Sequence, residues 1–143
     1  MAVVSSSDSV QASARLTQIG FYVVSVVFNL CLIFQVLTVG LAYFYNPNWW
    51  NVHVWSVRGY SILAPIMLLW VYLSPFPRRV RSLTASMPIL LGLQFLTIHL
   101  KLPFPLAVFH PLIGFALFSA STTLVHHVSR IVFPKSDIEN DAS

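Results

Sequence analysis

The stretch Gln94–Pro111, QFLTIHLKLPFPLAVFHP, decides how the chain is read, because its first seven residues echo an earlier segment. Gln94-Phe-Leu-Thr-Ile-His-Leu100 aligns with Gln35-Val-Leu-Thr-Val-Gly-Leu41. Gln, Leu, Thr and Leu are identical, and Ile98 stands for Val39. After each copy the chain turns and reaches a histidine: His53 lies eighteen residues beyond Gln35, and His110 sixteen beyond Gln94. A repeat governs the whole fold when one is present. Two copies predict one helical hairpin built twice, with a histidine opening the second helix of each.

The composition sets the solvent. Hydrophobic residues make up 57% and charged residues 8% of the 143, with a mean hydropathy of +0.76. A soluble domain carries about 25% charged residues, so this chain cannot cover a globule with polar surface. A bilayer is the expected surrounding, and spans of about 20 apolar residues are needed to cross one. The expected fold is all-α: an integral-membrane four-helix antiparallel bundle made of two repeated hairpins. Membrane lipids are its expected partners.

The four spans are expected at about 16–45, 52–73, 83–102 and 106–133, forming one domain over 15–133. Residues 1–14 (MAVVSSSDSVQASA) read as a flexible polar tail, and 134–143 as a polar C-terminal one. The first apolar run is too long and too late for a secretory signal, so it is expected to stay in the protein. Asn46-Pro47-Asn48 marks the first turn. Tyr43, Tyr45, Trp49, Trp50 and Trp55 around it read as an interfacial aromatic belt. Pro65 should kink the second span and leave the Ser61 carbonyl free. The segment Ser74–Arg81 reads as a basic loop, and Pro103 and Pro105 mark the last turn.

Arg15, Arg78, Arg79, Arg81, Arg130 and Lys135 fall on one side of such a bundle, Arg58 and Lys101 on the other. The positive-inside rule then puts both termini in the cytoplasm, or its organelle equivalent. A plasma, inner or thylakoid membrane would suit. The formal charge of +4 therefore reports topology, not nucleic-acid affinity. All four acidic residues, Asp8, Asp137, Glu139 and Asp141, lie in the tails. That argues against proton relays and ion pumps, which rely on intramembrane carboxylates. The single Cys31 excludes an internal disulfide, a CxxC pair and covalent c-type haem attachment. No phosphate loop, HExxH or serine elbow is present, so enzymatic chemistry has no visible nucleophile or acid–base pair.

Of the five histidines, His53, His99 and His110 sit toward the non-cytoplasmic side. His126 and His127 lie about 25 Å deeper along the fourth span at 1.5 Å per residue, beside Arg130, and read as interface anchors. His53 and His110 occupy equivalent places in the repeat and should stand at one depth on facing helices. Imidazoles from two helices, one on each side of a metal, are how proteins hold a b-type haem. Structural hydrogen bonding is the other role open to them. Gly114, one turn after His110 on the same face, offers room for a flat ring, although small residues also serve plain packing. Arg58 is a candidate partner for a propionate or a snorkelling cation. His99 either orients a ligand or faces the interface. Gln35 and Gln94 are expected to hydrogen-bond to each other across the bundle, or to a cofactor. Asn29 reads as packing glue, Tyr60 as a possible flank to the ring, and Cys31 as inert.

The pattern resembles a group of small bacterial four-helix membrane proteins of uncharacterised function. The stretches that carry the likeness are Ala107-Val-Phe-His110-Pro-Leu-Ile-Gly114, Phe34-Gln35 and Leu93-Gln94. In that group a glycine follows the second-helix histidine more closely than Gly59 follows His53. More distantly the plan is similar to one half of haem A synthase, whose bundles hold b-type haem between second- and fourth-helix histidines. That likeness implies His53 and His110 as ligands. It does not imply haem A synthesis, because the further charged residues and the second bundle of that enzyme have no counterpart here.

The residues thus point first to a bis-histidine haem b protein for electron transfer, a subunit of a larger redox complex, since one haem near one face cannot carry electrons across a bilayer. The alternative is a small accessory or structural subunit of a respiratory or photosynthetic complex, which packs helices and lipids or ligates chlorophyll through one histidine.

Overall fold

A computed structural model describes residues 3–100 and 105–134. Lys101, Pro103, Lys135 and the tail 135–143 lie outside the described residues. The elements are α1 (Val3–Phe44), α2 (Trp49–Tyr60), α3 (Leu63–Leu73), α4 (Arg78–His99), a 3₁₀ turn (Leu106–Phe109) and α5 (His110–Val132). The described chain is all-helical, and four of its stretches are long and apolar enough to cross a membrane: Gln11–Phe44, Trp49–Leu73, Arg78–His99 and Leu106–Val132.

Each boundary has a local cause. The polar stretch expected as a flexible tail is helical from Val3, so α1 begins well before position 16. The turn after α1 is closed by the Asn46 and Tyr45 amides donating to the Leu41 carbonyl, and by the Asn48 amide donating to Asn46 Oδ1, an Asx turn. Pro65 interrupts the second span as a kink does, with Ser61 and Ile62 keeping right-handed helical angles between α2 and α3. The chain leaves α2 at Tyr60 and restarts at Leu63, which puts Pro65 in the first turn of α3, where a missing N–H costs nothing. The Ser61 carbonyl is not left free, as expected from the sequence, because the Ala64 amide bonds it at 3.3 Å. The basic segment is likewise not a loop throughout. Pro77, with φ −59°, leads directly into α4, so Arg78, Arg79 and Arg81 lie on its first turn. Pro111 sits at the opening of α5, again at a position that needs no donor.

The buried positions of α1 and α4 follow the same rhythm. Phe21, Ser25, Phe28, Leu32 and Thr38 are buried in α1; Val80, Thr84, Met87, Leu91 and Thr97 are buried in α4. Each pair is separated by 59 in residue number, as are Gln35 and Gln94. The hydroxyls follow suit: Ser25 donates to the Phe21 carbonyl and Thr84 to the Val80 carbonyl, 2.8 and 2.9 Å. In the other two spans Tyr60, Ala64, Met67 and Val71 answer Leu117, Ser121, Leu124 and Val128, all buried and 57 apart. Spacings of three and four keep one stripe facing the neighbours.

Helix α1 packs against α2, α3 and α5, and α4 packs against α3 and α5. The α2–α3 span and α5 are therefore diagonal, with α1 and α4 between them. Phe21 anchors one end of the core, its ring tilted against Phe76 from the α3–α4 turn at 4.6 Å and edge-on to Trp70 at 6.1 Å. Farther along, Asn29 Nδ2 donates to the Ser121 and Thr122 hydroxyls, each at 3.1 Å, and ties α1 to α5. The outward faces are apolar, with Val36, Leu69, Tyr72, Ile89, Leu112 and Phe115 all mostly exposed.

The glycines separate close packing from open space. A Cβ on Gly20 would stand 3.0 Å from the Trp70 ring, whereas one on Gly40 meets nothing within 4 Å. Gly20→Val should destabilise the bundle by about 1–3 kcal/mol, as overpacking does, while Gly40→Ala should be neutral or mildly stabilising. Thermal unfolding in mild detergent, followed by circular dichroism, reads both.

Candidate functional site

Two histidines are mounted alike at the end of the bundle that carries the α1–α2 turn. On α1, Gln35 and Thr38 lie one turn apart, and the Thr38 hydroxyl donates to the Gln35 carbonyl at 2.7 Å. The same oxygen lies 3.1 Å from His53 Nδ1 on α2. On α4 the arrangement recurs: Thr97 donates to the Gln94 carbonyl at 2.9 Å, and its oxygen lies 3.5 Å from His110 Nδ1 on α5. Each hydroxyl has one proton, and the backbone carbonyl takes it. With that proton directed to the carbonyl, the threonine oxygen can accept from the ring in the tautomer that protonates Nδ1. In a neutral imidazole that leaves Nε2 with the lone pair, which is the tautomer a metal needs.

Both rings are half-buried, come from the diagonal spans, and stand within electrostatic range of each other. The glutamines complete the setting. Gln35 is 8% exposed; its Nε2 donates to the Ser56 hydroxyl and, at 3.3 Å, to the His53 carbonyl. Gln94 Nε2 lies 2.7 Å from where a Cβ on Gly114 would stand. The expected bond between the two glutamines is therefore not what forms: each reaches the second helix of its own hairpin. Both Oε1 atoms are buried without a hydrogen-bond partner.

The structure thus sets Gln35, Thr38 and Ser56 around His53, and Gln94, Thr97 and Gly114 around His110. It does not bring in the other candidates. Arg58 is exposed and lies over the Trp55 ring, 5.2 Å from its centroid. His99 is exposed, with Nδ1 2.8 Å from its own helix's Phe95 carbonyl. His126 and His127 sit at the far end of α5 with ring centroids 6.1 Å apart. Tyr60 is buried edge-on to Phe28 at 5.8 Å. Two clefts, of about 420 and 660 Å³, open at that far end beside Ser13, Thr17 and Ser74 and beside Arg15, Gln18 and Val132. Neither reaches the histidine pair. The threonines were legible in the sequence as part of the matching Gln-x-x-Thr, but a hydroxyl on an apolar helix carries no sign of which imidazole it will meet.

Among the described residues no group of three or more His, Cys, Asp or Glu side chains could hold a metal ion. A bare ion needing four protein donors has no cage here. A macrocycle that brings four nitrogens of its own needs only the two imidazoles.

What the fold and this site define is an all-helical protein with four membrane-length apolar helices and a paired-histidine cluster near one end. Residues 35–99, just under half of the chain, match a family of unknown function (DUF6220), in accord with the expected likeness to an uncharacterised family. The match takes in Gln35, Thr38, His53, Gln94 and Thr97 and stops short of His110. No curated protein and no solved structure matches.

The tautomer assignment can be read directly. In protein labelled with ¹⁵N-histidine and held at a pH where the rings are neutral, His53 should show a protonated Nδ1 and a bare Nε2. Thr38→Val should shift His53 toward a mixture of tautomers and leave His110 unchanged.

Proposed function

We propose that this chain is an integral-membrane protein made of a duplicated helical hairpin, which holds one b-type haem between His53 and His110 and serves electron transfer as a subunit of a larger redox complex. The twin Gln-x-x-Thr mounts carry this reading: each offers an imidazole through Nε2, from diagonal helices, at equivalent places in the two hairpins. When bound, the haem supplies reversible one-electron chemistry. The chain's own residues hold the two rings, fix their tautomer and surround them with apolar helix faces.

The membrane reading rests on the outer face. The core is mostly apolar with Ser25, Gln35, Thr38, Thr84, Thr97 and Ser121 among it, and large apolar side chains also cover the outside. Lipid accepts such a surface, and polar groups then find partners within the protein. The duplication rests on the matched burial spacings of 59 and 57. Arg15, Arg78, Arg79, Arg81 and Arg130 gather at the end opposite the histidines, which makes that end cytoplasmic by the positive-inside rule. Lipid and neighbouring subunits would then cover the exposed apolar faces.

The full chain purified in mild detergent should show a reduced-minus-oxidised b-type band. His53→Leu and His110→Leu should each abolish bis-imidazole ligation. A chlorophyll spectrum in its place would favour the accessory-subunit reading, and a colourless protein would reject the haem reading and leave a structural subunit. Topology is a separate expectation: a cysteine placed at Ser82 should be labelled only from the cytoplasmic side, and one at Asn48 only from the opposite side.

A further inference from the structure

The end of the bundle opposite the histidine pair gathers like charge from two helices. Helix α4 opens with Arg78, Arg79 and Arg81 on its first turn, where no acidic residue stands. A helix N-terminus carries a partial positive charge and disfavours cations, so this placement is unfavourable for the helix by itself. Helix α5 packs along α4 and brings its last turns to the same place. Arg79 and Arg130, with His126, lie within electrostatic range of His127. The four acidic residues are all in the terminal segments, and among the described residues neither arginine has a carboxylate partner. Arg81 is turned inward and donates to the Ser74 carbonyl at 3.4 Å, whereas Arg79 and Arg130 are exposed.

We propose that the α4–α5 seam at this end, with Arg79, His127 and Arg130, seats the phosphate headgroup of an anionic phospholipid. The inference rests on the membrane reading and is independent of the haem. An anion held there offsets repulsion that no described side chain relieves. The planar guanidinium fork matches phosphate oxygens, and basic side chains from neighbouring membrane helices are a known kind of seat for acidic headgroups. Arg79 opens one membrane-length helix and Arg130 closes another, which puts both at headgroup height. Beyond Arg79 the outward face of α4 continues through exposed Ile89 and Leu93, an apolar surface for the acyl chains. A free phosphate ion would meet the charge and leave that surface unused.

The test is native mass spectrometry of the full chain released from micelles that contain equal amounts of phosphatidylglycerol and phosphatidylcholine. The wild type should retain phosphatidylglycerol preferentially. Each arginine should contribute about 5-fold to that preference, so Arg79→Gln and Arg130→Gln should each lower it by that factor. Arg58→Gln, at the other end of the bundle, should leave it unchanged. Thermal unfolding should move upward on adding phosphatidylglycerol, and an equal rise with inorganic phosphate overturns the lipid as the occupant. Equal retention of the two lipids by the wild type overturns the inference. So does an equal loss in Arg15→Gln, which would mean a diffuse basic rim and no seat between two helices. A chain that leaves phosphatidylcholine vesicles on alkaline extraction removes the membrane reading and the inference together.

Discussion

The site depends on where two hydroxyl protons go. Thr38 and Thr97 each have a carbonyl one turn back along their own helix, and each donates to it. A helix offers this bond to any buried Ser or Thr, and Ser25 and Thr84 make a similar one four residues back. Once that proton is committed, the oxygen can only accept. It matches a neighbouring imidazole that presents Nδ1–H, and in the neutral ring of that tautomer the far nitrogen keeps its lone pair. The helix backbone thus sets the chemistry of a ring on a different helix, through one intervening hydroxyl. Replacing either threonine with valine would keep the shape and lose the instruction.

That device works only because the helices hold their registers over many turns. The buried positions of α1 and α4 advance together from Phe21 and Val80 to Thr38 and Thr97, and the second spans keep their own pace from His53 and His110 to Val71 and Val128. A single residue inserted into α1 between Phe28 and Gln35 would turn the glutamine and threonine about 100° away from α2. The core packing of Phe21 and Phe28 and the mounting of His53 are therefore one constraint. The prolines sit where this constraint is not felt. Pro65, Pro77 and Pro111 lie at helix openings, and Pro88, inside α4, lies in register with Asn29 rather than with a stripe position.

Much of this was legible in the sequence, and what was missed has physical reasons. Four identities between Gln35–Leu41 and Gln94–Leu100 pointed to the matching ends of α1 and α4. The match in fact runs back to Phe21 and Val80, but there it is carried mostly by burial and by the paired Ser25 and Thr84 hydroxyls. Phe28 and Met87 share a place and not a residue type, so identity could not find them. Four apolar helices followed from composition, as did the importance of Pro65. The fate of the Ser61 carbonyl did not, because a local 3₁₀-type bond from Ala64 depends on how sharply the chain turns. Gln35 and Gln94 were singled out as partners of each other or of a cofactor. In the structure Ser56 and Gly114 draw them apart, a choice set by residues three and four positions past each histidine. The exposure of Arg58 and His99 depends on helix rotation, which an apolar helix with weak amphipathic signal leaves undetermined from sequence.

The two hairpins solve one problem in different ways. A glutamine amide placed beside a histidine helix must put its N–H₂ somewhere, since an unpaired buried donor costs about 1–3 kcal/mol. The first hairpin supplies Ser56 and so converts the amide into a strut between α1 and α2. The second has Ile113 at that place and makes room at the next, where Gly114 lets the amide lie against the α5 backbone. Moving the accommodation by one residue rotates it about 100° around the helix. The first amide is thus tied to the second helix of its hairpin by a side-chain hydrogen bond, and the second only packs against its helix. That difference comes from two neighbouring positions, not from the fold, so exchanging Ser56 with Val and Ile113 with Ser should move the tie from one hairpin to the other while leaving both stripes intact.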